Sequence, residues 1–237
     1  MGAIVNLKRS VIPACDIATE TELDRLVKET CNIPGIGGYK IGLQLTIVYG
    51  LKYLVSLMRK YTSLPIIYDH QKAGNDIPEL GKNFSSACRD AGINAVILFP
   101  FAGSMTEREW IKACQDEGLG VIVGGHMTQK NFLQSEGGFI SDNGPQRIYE
   151  IAVESGIRDF VVPGNKPEFV TKYRNLFEGL NIPYTLYAPG FVAQGGTITE
   201  CGKAAGESWH AIVGSAIYAA KNIKQAASIL THQLAVT

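Results

Sequence analysis

A closed parallel barrel of alternating strands and helices, the (β/α)₈ TIM barrel, is the fold class predicted by this 237-residue sequence. Three observations predict it. Eight short apolar runs rich in β-forming residues recur along the chain, each is followed by apolar residues at three- and four-residue steps, and no linker or composition shift divides the whole. The expected organisation is therefore one barrel domain over residues 1–237. A doubly wound open sheet is the competing architecture, but there is no antiparallel signal and no G-x-G-x-x-G after the first strand.

In order, the predicted first strand is Val11 to Ile17, followed by a helix from Thr21 to Cys31. Gly38 to Gly42 is the second strand, and Gln44 to Tyr61 reads as one long helix. Pro65 to Asp69 leads to a helix over Gly81 to Ala91, and Ala95 to Phe99 to one over Thr106 to Glu117. Gly120 to Val123 precedes a long polar segment, His126 to Gly144, before a helix from Gln146 to Ser155. Asp159 to Val162 pairs with Pro167 to Phe177, Tyr184 to Tyr187 with Thr199 to Ala205, and Ala211 to Val213 with Ser215 to Leu234. Gly92, Gly118, Gly156 and Gly179 stand where helices end and the chain turns back. The longer polar segments all follow strands, so function is expected at that end of the barrel, with Gly137-Gly138 marking a mobile stretch within Gln134 to Gly144.

Composition excludes several classes of function. Twenty-two basic and twenty-two acidic residues cancel, which removes any general attraction to nucleic acid or an anionic membrane. No apolar run approaches the length of a membrane helix, and the N-terminus lacks a signal-peptide h-region. The five cysteines are scattered and odd in number, without C-x-x-C spacing, so a reduced, cytoplasmic protein is expected.

Polar residues at the ends of the predicted strands are Asp16, Lys40, Asp69 with Lys72 and Asp76, His126 with Thr128, Asn165 with Lys166, Gln194, and Ser215. The segment from Tyr68 to Pro78 is the densest, with Lys72 set between Asp69 and Asp76 just where an apolar strand ends. Carboxylates around a lysine keep it charged and aimed, which suits an ammonium that must protonate a developing carbanion. A solvated turn with weakly paired charges is the alternative. Pro189-Gly190-Phe191-Val192-Ala193-Gln194-Gly195-Gly196-Thr197 permits close backbone approach to a ligand, and a helix starting near Thr197 would offer N–H groups to an anion. Gly214 and Ser215 would add donors to the same anion, unless Ser215 only caps the last helix. His126 is either an acid–base group or a structural histidine. Magnesium on Asp16, Asp69 and Asp76 is disfavoured because Lys40 and Lys72 already neutralise them, so no metal is expected.

This set of residues resembles the orotidine 5′-monophosphate decarboxylase family. The similarity lies in Asp69…Lys72…Asp76-Ile77 after the third strand, Lys40 in Tyr39-Lys40-Ile41-Gly42, Asp16 in Cys15-Asp16-Ile17, Met127-Thr128, and Pro189-Gly190…Gln194-Gly195-Gly196. The resemblance implies decarboxylation of orotidine 5′-monophosphate to uridine 5′-monophosphate without metal or organic cofactor, as in pyrimidine biosynthesis. It implies a catalytic array of Lys72, Asp69, Asp76 and Lys40. Substrate would be held by Asp16, Thr128, Pro189, Gln194, Gly195, Gly214 and Ser215. It also implies a homodimer in which Asp76 reaches the neighbouring subunit's site. The alternatives are a magnesium-dependent sugar-phosphate lyase of the 3-keto-L-gulonate 6-phosphate decarboxylase or hexulose-phosphate synthase type, and a non-catalytic nucleotide-binding descendant.

Two departures from the family pattern carry consequences. Each gap of the acid–lysine–acid motif holds one additional residue, and in an extended strand the first would turn the lysine to the opposite face. The motif therefore requires the strand to end at Asp69 and Gly74 to absorb an irregular turn. The family's arginine after Ile-Val-Gly is replaced in Ile212-Val213-Gly214-Ser215, which predicts weaker phosphate binding unless Lys166 or another cation compensates.

Overall fold

In the computed structural model, which describes residues 2–70, 73–192 and 194–235, eight parallel strands close into a barrel in the order β1 to β8. The strands are β1 Arg9–Cys15, β2 Tyr39–Ile41, β3 Ile66–Asp69, β4 Ala95–Leu98, β5 Gly120–Gly124, β6 Asp159–Val161, β7 Thr185–Ala188 and β8 Trp209–Val213. The helices are α1 Glu20–Thr30, α2 Leu43–Tyr49, α3 Leu51–Met58, α4 Gly81–Asp90, α5 Ser104–Asp116, α6 Gly144–Glu154, α7 Pro167–Gly179, α8 Ile198–Ala205, α9 Ser215–Tyr218 and α10 Ile223–Ala235. All eight predicted strand–helix units are present, as the alternation of apolar runs and helical periodicity requires.

Strand alternation decides which side chains reach the axis. Ile12, Ala14, Ile67, Ile97, Ile122, Val161, Tyr187 and Ile212 form the inner cluster, whereas Val11, Tyr39, Ile41, Ile66, Tyr68, Val96 and Trp209 pack outward under the helices. Lys40 lies between Tyr39 and Ile41 on β2, and Asp69 follows Tyr68 on β3, so both point inward by the same parity. The pairing Ala14 with Lys40 and Lys40 with Ile67 sets that lysine above an apolar floor.

The structure corrects the sequence reading at several boundaries. The single helix expected from Gln44 to Tyr61 is two, broken at Gly50, whose φ of 77° lies outside the helical region. The last helix is likewise split, with α10 restarting where the Asn222 side chain accepts a hydrogen bond from the Gln225 N–H at 2.9 Å. Gly92, Gly118 and Gly156 do take positive φ, but Gly179 stays helical and Asn181 adopts the left-handed turn with φ 52°. Ser215 does not cap α9; the cap position is Gly214. The five cysteines are unpaired, and among the described residues no helix is long and apolar enough to cross a membrane.

Candidate active site

At the C-terminal ends of the strands opens a cavity of about 410 Å³. Its floor is the inner cluster of Ala14, Ile97, Val161 and Ile212, and its rim carries Asp16, Lys40, Asp69, Thr128, Pro189, Gln194, Gly214 and Ser215. Polar side chains above an apolar floor suit a ligand with one flat apolar face and several polar groups.

Lys40 is the electrostatic centre of the described site. Its ammonium donates to Asp16 Oδ1 at 3.1 Å and to Asp69 Oδ2 at 3.0 Å. Burial alone would lower its pKa, but the carboxylates of Asp69 and Asp16 outweigh burial and hold it well above the ordinary lysine range. The two acids differ in access, since the Asp16 side chain is 50% exposed and that of Asp69 only 6%. Asp16 can therefore meet a ligand at the mouth of the cavity, while Asp69 lies deeper in it. Gly42 makes this packing feasible, because a Cβ there would stand 2.6 Å from Asp16 Oδ1. The sequence signal for it was its place directly after Lys40-Ile41.

The condition placed on the acid–lysine–acid segment is met. β3 ends at Asp69, and Gly74 turns with φ 88° against Pro100. Lys72 itself lies outside the described residues. Asp76 is exposed and does not line the cavity. Its backbone is nonetheless anchored: the Thr106 hydroxyl donates to the Asp76 carbonyl at 3.0 Å, and the Trp110 indole N–H to the Ile77 carbonyl at 3.0 Å.

His126 lines the cavity but is structural in its contacts. The Lys166 ammonium donates to its Nε2 at 3.1 Å, which leaves the ring proton on Nδ1, 2.8 Å from the Tyr173 hydroxyl. Burial, with a further contribution from Lys166, pushes its pKa down to about 4. Lys166 is also bound to Glu136 at 3.3 Å and to the Gln129 carbonyl at 3.4 Å. It does not line the cavity and is not the compensating cation contemplated from sequence. The segment from Phe132 to Ile140 folds on itself, with Glu136 accepting the Phe132 N–H at 3.1 Å and Gly138 packed so closely that a Cβ would meet the Phe132 carbonyl.

Thr128 is placed by the Asn165 amide, which donates to its carbonyl at 3.1 Å. Gly190, at φ 105°, allows the following loop to approach both residues. Gln194 reaches the cavity, whereas Gly195 does not: it lines an outer groove with Thr197, Leu230 and Gln233. The N-terminus of α8 opens on that groove and is capped internally, the Thr197 hydroxyl accepting from the Glu200 N–H at 3.2 Å. Tyr218 and Gln129, not selected from sequence, also line the cavity. Tyr218 lies three residues after Ser215, so one helical turn brings both to the same face.

A family model described as orotidine 5′-phosphate decarboxylase / HUMPS family matches residues 9–229. The chain belongs to that family. With this assignment it is an enzyme, and its relatives are carboxy-lyases: it is 30% identical to the orotidine 5′-phosphate decarboxylase of Methanosarcina barkeri, over 93% of this chain and 92% of the relative. To that of Pyrococcus furiosus it is 32% identical over 79% of this chain and 81% of the relative. Among solved structures, orotidine 5′-phosphate decarboxylase from Pyrococcus horikoshii matches with TM-score 0.79 and 25% identity, covering 95% of this chain and 99% of that one. The Methanocaldococcus jannaschii decarboxylase complexed with the inhibitor BMP shares the barrel with TM-score 0.83 at 20% identity, covering 95% and 98%. In this chain the inward Asp16–Lys40–Asp69 array stands on one side of the cavity and Ser215 at its rim.

Proposed function

We propose that this family member converts orotidine 5′-monophosphate to uridine 5′-monophosphate, supplying UMP in pyrimidine biosynthesis, with no metal or organic cofactor. The observation that carries the reading is the Lys40 ammonium bridging Asp16 and Asp69 at the edge of a nucleotide-sized cavity. The C6–carboxylate bond breaks with its electron pair left on C6, CO₂ departs, and the Lys72 ammonium gives C6 its proton. Lys72 regains a proton from solvent. Asp69 lies beside the leaving carboxylate, and Lys40 and Asp16 hold the ribose. Thr128 and Gln194 bind the pyrimidine. Preorganisation of the ammonium, rather than repulsion between carboxylates, supplies the main stabilisation of the carbanion.

Asp76 acts across a homodimer, in the neighbouring subunit's site. Its exposure and its absence from the lining of this chain's own cavity, together with an anchored backbone, support that role. The enzyme works in the cytoplasm, in keeping with its unpaired cysteines.

Loss of orotidine monophosphate absorbance, followed with EDTA-treated protein, tests the reading. Turnover undiminished by the chelator is expected. No loss of orotidine monophosphate, with magnesium-dependent turnover of a sugar phosphate in its place, would favour a sugar-phosphate lyase, and tight UMP binding with no turnover of either would favour a non-catalytic nucleotide-binding protein.

A further inference from the structure

Lys40 and Asp69 reach each other from the ends of neighbouring strands, and side chains behind them tie those ends together. The β2–β3 pairing runs up to Ile41 with Tyr68, one residue before Asp69, whereas β4 still pairs with Asp69 through Ile97. Beyond Ile41 and Tyr68, a chain of hydrogen bonds on the outer side of the barrel wall spans from one strand to the other. Tyr68 packs outward, and its hydroxyl is hydrogen-bonded to His70 Nδ1 and to the Thr46 side chain. The Thr46 hydroxyl gives its single proton to the Gly42 carbonyl at 3.0 Å. Tyr68 therefore donates to Thr46, and the His70 Nδ1–H donates to Tyr68, so every donor runs in one direction from His70 to Gly42. One end of this chain is the residue after Asp69; the other is the second residue after Lys40, against which Asp16 also packs.

The far end of the same segment rests on the same group of rings. Phe84 stacks on Tyr68 at 6.2 Å and meets His70 edge-on at 6.3 Å. Trp110 lies 5.1 Å beyond Phe84 and donates its indole N–H to the Ile77 carbonyl. His70 and Ile77 therefore stand on one aromatic block. A charged array tolerates little misplacement, since a shift of about 1 Å can cost about a hundredfold in rate. Any aromatic ring could pack against Tyr68 and Phe84, but only a side chain with a donor at the Nδ1 position completes the hydrogen bonds to Gly42. We propose that His70 is a positioning residue for decarboxylation, holding Asp69 in register with Lys40 through Tyr68, Thr46 and Gly42. It acts through these neighbours and touches no reacting atom. This rests on the decarboxylase reading above and deepens it.

The test measures turnover of orotidine 5′-monophosphate by the wild type, His70→Phe, Tyr68→Phe, the double variant and His70→Asn, with UMP affinity by calorimetry alongside. Each single phenylalanine should lower kcat by about tenfold to a hundredfold, while KM and the UMP dissociation constant stay within about threefold of wild type. The double variant should be within about threefold of the slower single one, because either change breaks the same chain. His70→Asn, whose amide can donate from near the Nδ1 position, should recover most of the loss. An unchanged kcat in His70→Phe, losses that multiply in the double variant, or UMP affinity falling as far as kcat overturns the inference and leaves decarboxylation standing. If the wild type leaves orotidine monophosphate intact, the functional reading fails instead, and crystal structures decide the inference separately. A Lys40–Asp69 contact opened from 3.0 Å to beyond about 3.5 Å in Tyr68→Phe sustains it, and an unmoved pair overturns it.

Discussion

Lys40 and Lys166 both contact carboxylates, but only Lys40 faces the cavity. The difference follows from position. Lys40 is an inward residue of β2, whereas Lys166 follows β6 at the cap of α7 and closes the segment carrying His126 and Gln129. His126 is thereby committed at both ring nitrogens and excluded from proton transfer at neutral pH. An NMR titration of its ring should show it neutral until the pH falls to about 4, and Lys166→Met should raise that midpoint by about one unit through loss of the adjacent charge. A wild-type midpoint near the ordinary histidine value would restore His126 as an acid–base candidate. The inward direction of Lys40 and Asp69 was legible in the sequence because strand parity fixes it. The commitment of Lys166 was not, since it depends on Glu136, thirty residues away along the chain.

At the scale of elements, periodicity identified every strand and its following helix, but the interruptions escaped it. Gly50 breaks an apolar pattern that runs on without a change of period, so only backbone geometry shows the division into α2 and α3. Asn181 takes the left-handed turn one residue beyond the α7 cap while Gly179 remains helical, a choice between two permissive residues that helix length decides. After β3, the strand end at Asp69 and the positive φ of Gly74 agree with the sequence reading for a physical reason. An inserted residue has to be absorbed outside the strand, and Gly74 is the nearby residue free to adopt positive φ. The loop after β7 was read only in part. Its glycines suggested one phosphate-facing surface, yet the chain divides there, sending Gln194 into the cavity and Gly195 with Thr197 to the outer groove.

For the whole molecule, buried ionisable groups set how stability varies with pH. His126 and His210 have pKa values pushed down to about 4 from 6.5, so they favour the folded state as pH rises through that interval. Burial raises Asp159 from 3.8 to about 6 and Glu107 from 4.5 to about 8, which acts in the opposite sense. The four roughly cancel between pH 4.5 and 6. Above pH 6.5 Glu107 alone among them still titrates, beside Arg108, Arg147 and Glu154. Its folded form holds a proton that the unfolded chain has released, so stability should fall from pH 6.5 to 8 by up to about 1.4 kcal/mol per unit. Glu107→Gln should flatten that decline in urea unfolding; an unchanged slope would place the titrating group elsewhere.

Barrel, inward array and cavity all serve one proposed event, delivery of a proton from the Lys72 ammonium to C6 of the pyrimidine. By microscopic reversibility the same group must remove that hydrogen from the product. Proton NMR of UMP in deuterium oxide with the enzyme should show exchange at C6 by the wild type and none above background by a folded Lys72→Ala variant. Exchange at equal rates in the two proteins would show that another group carries the proton.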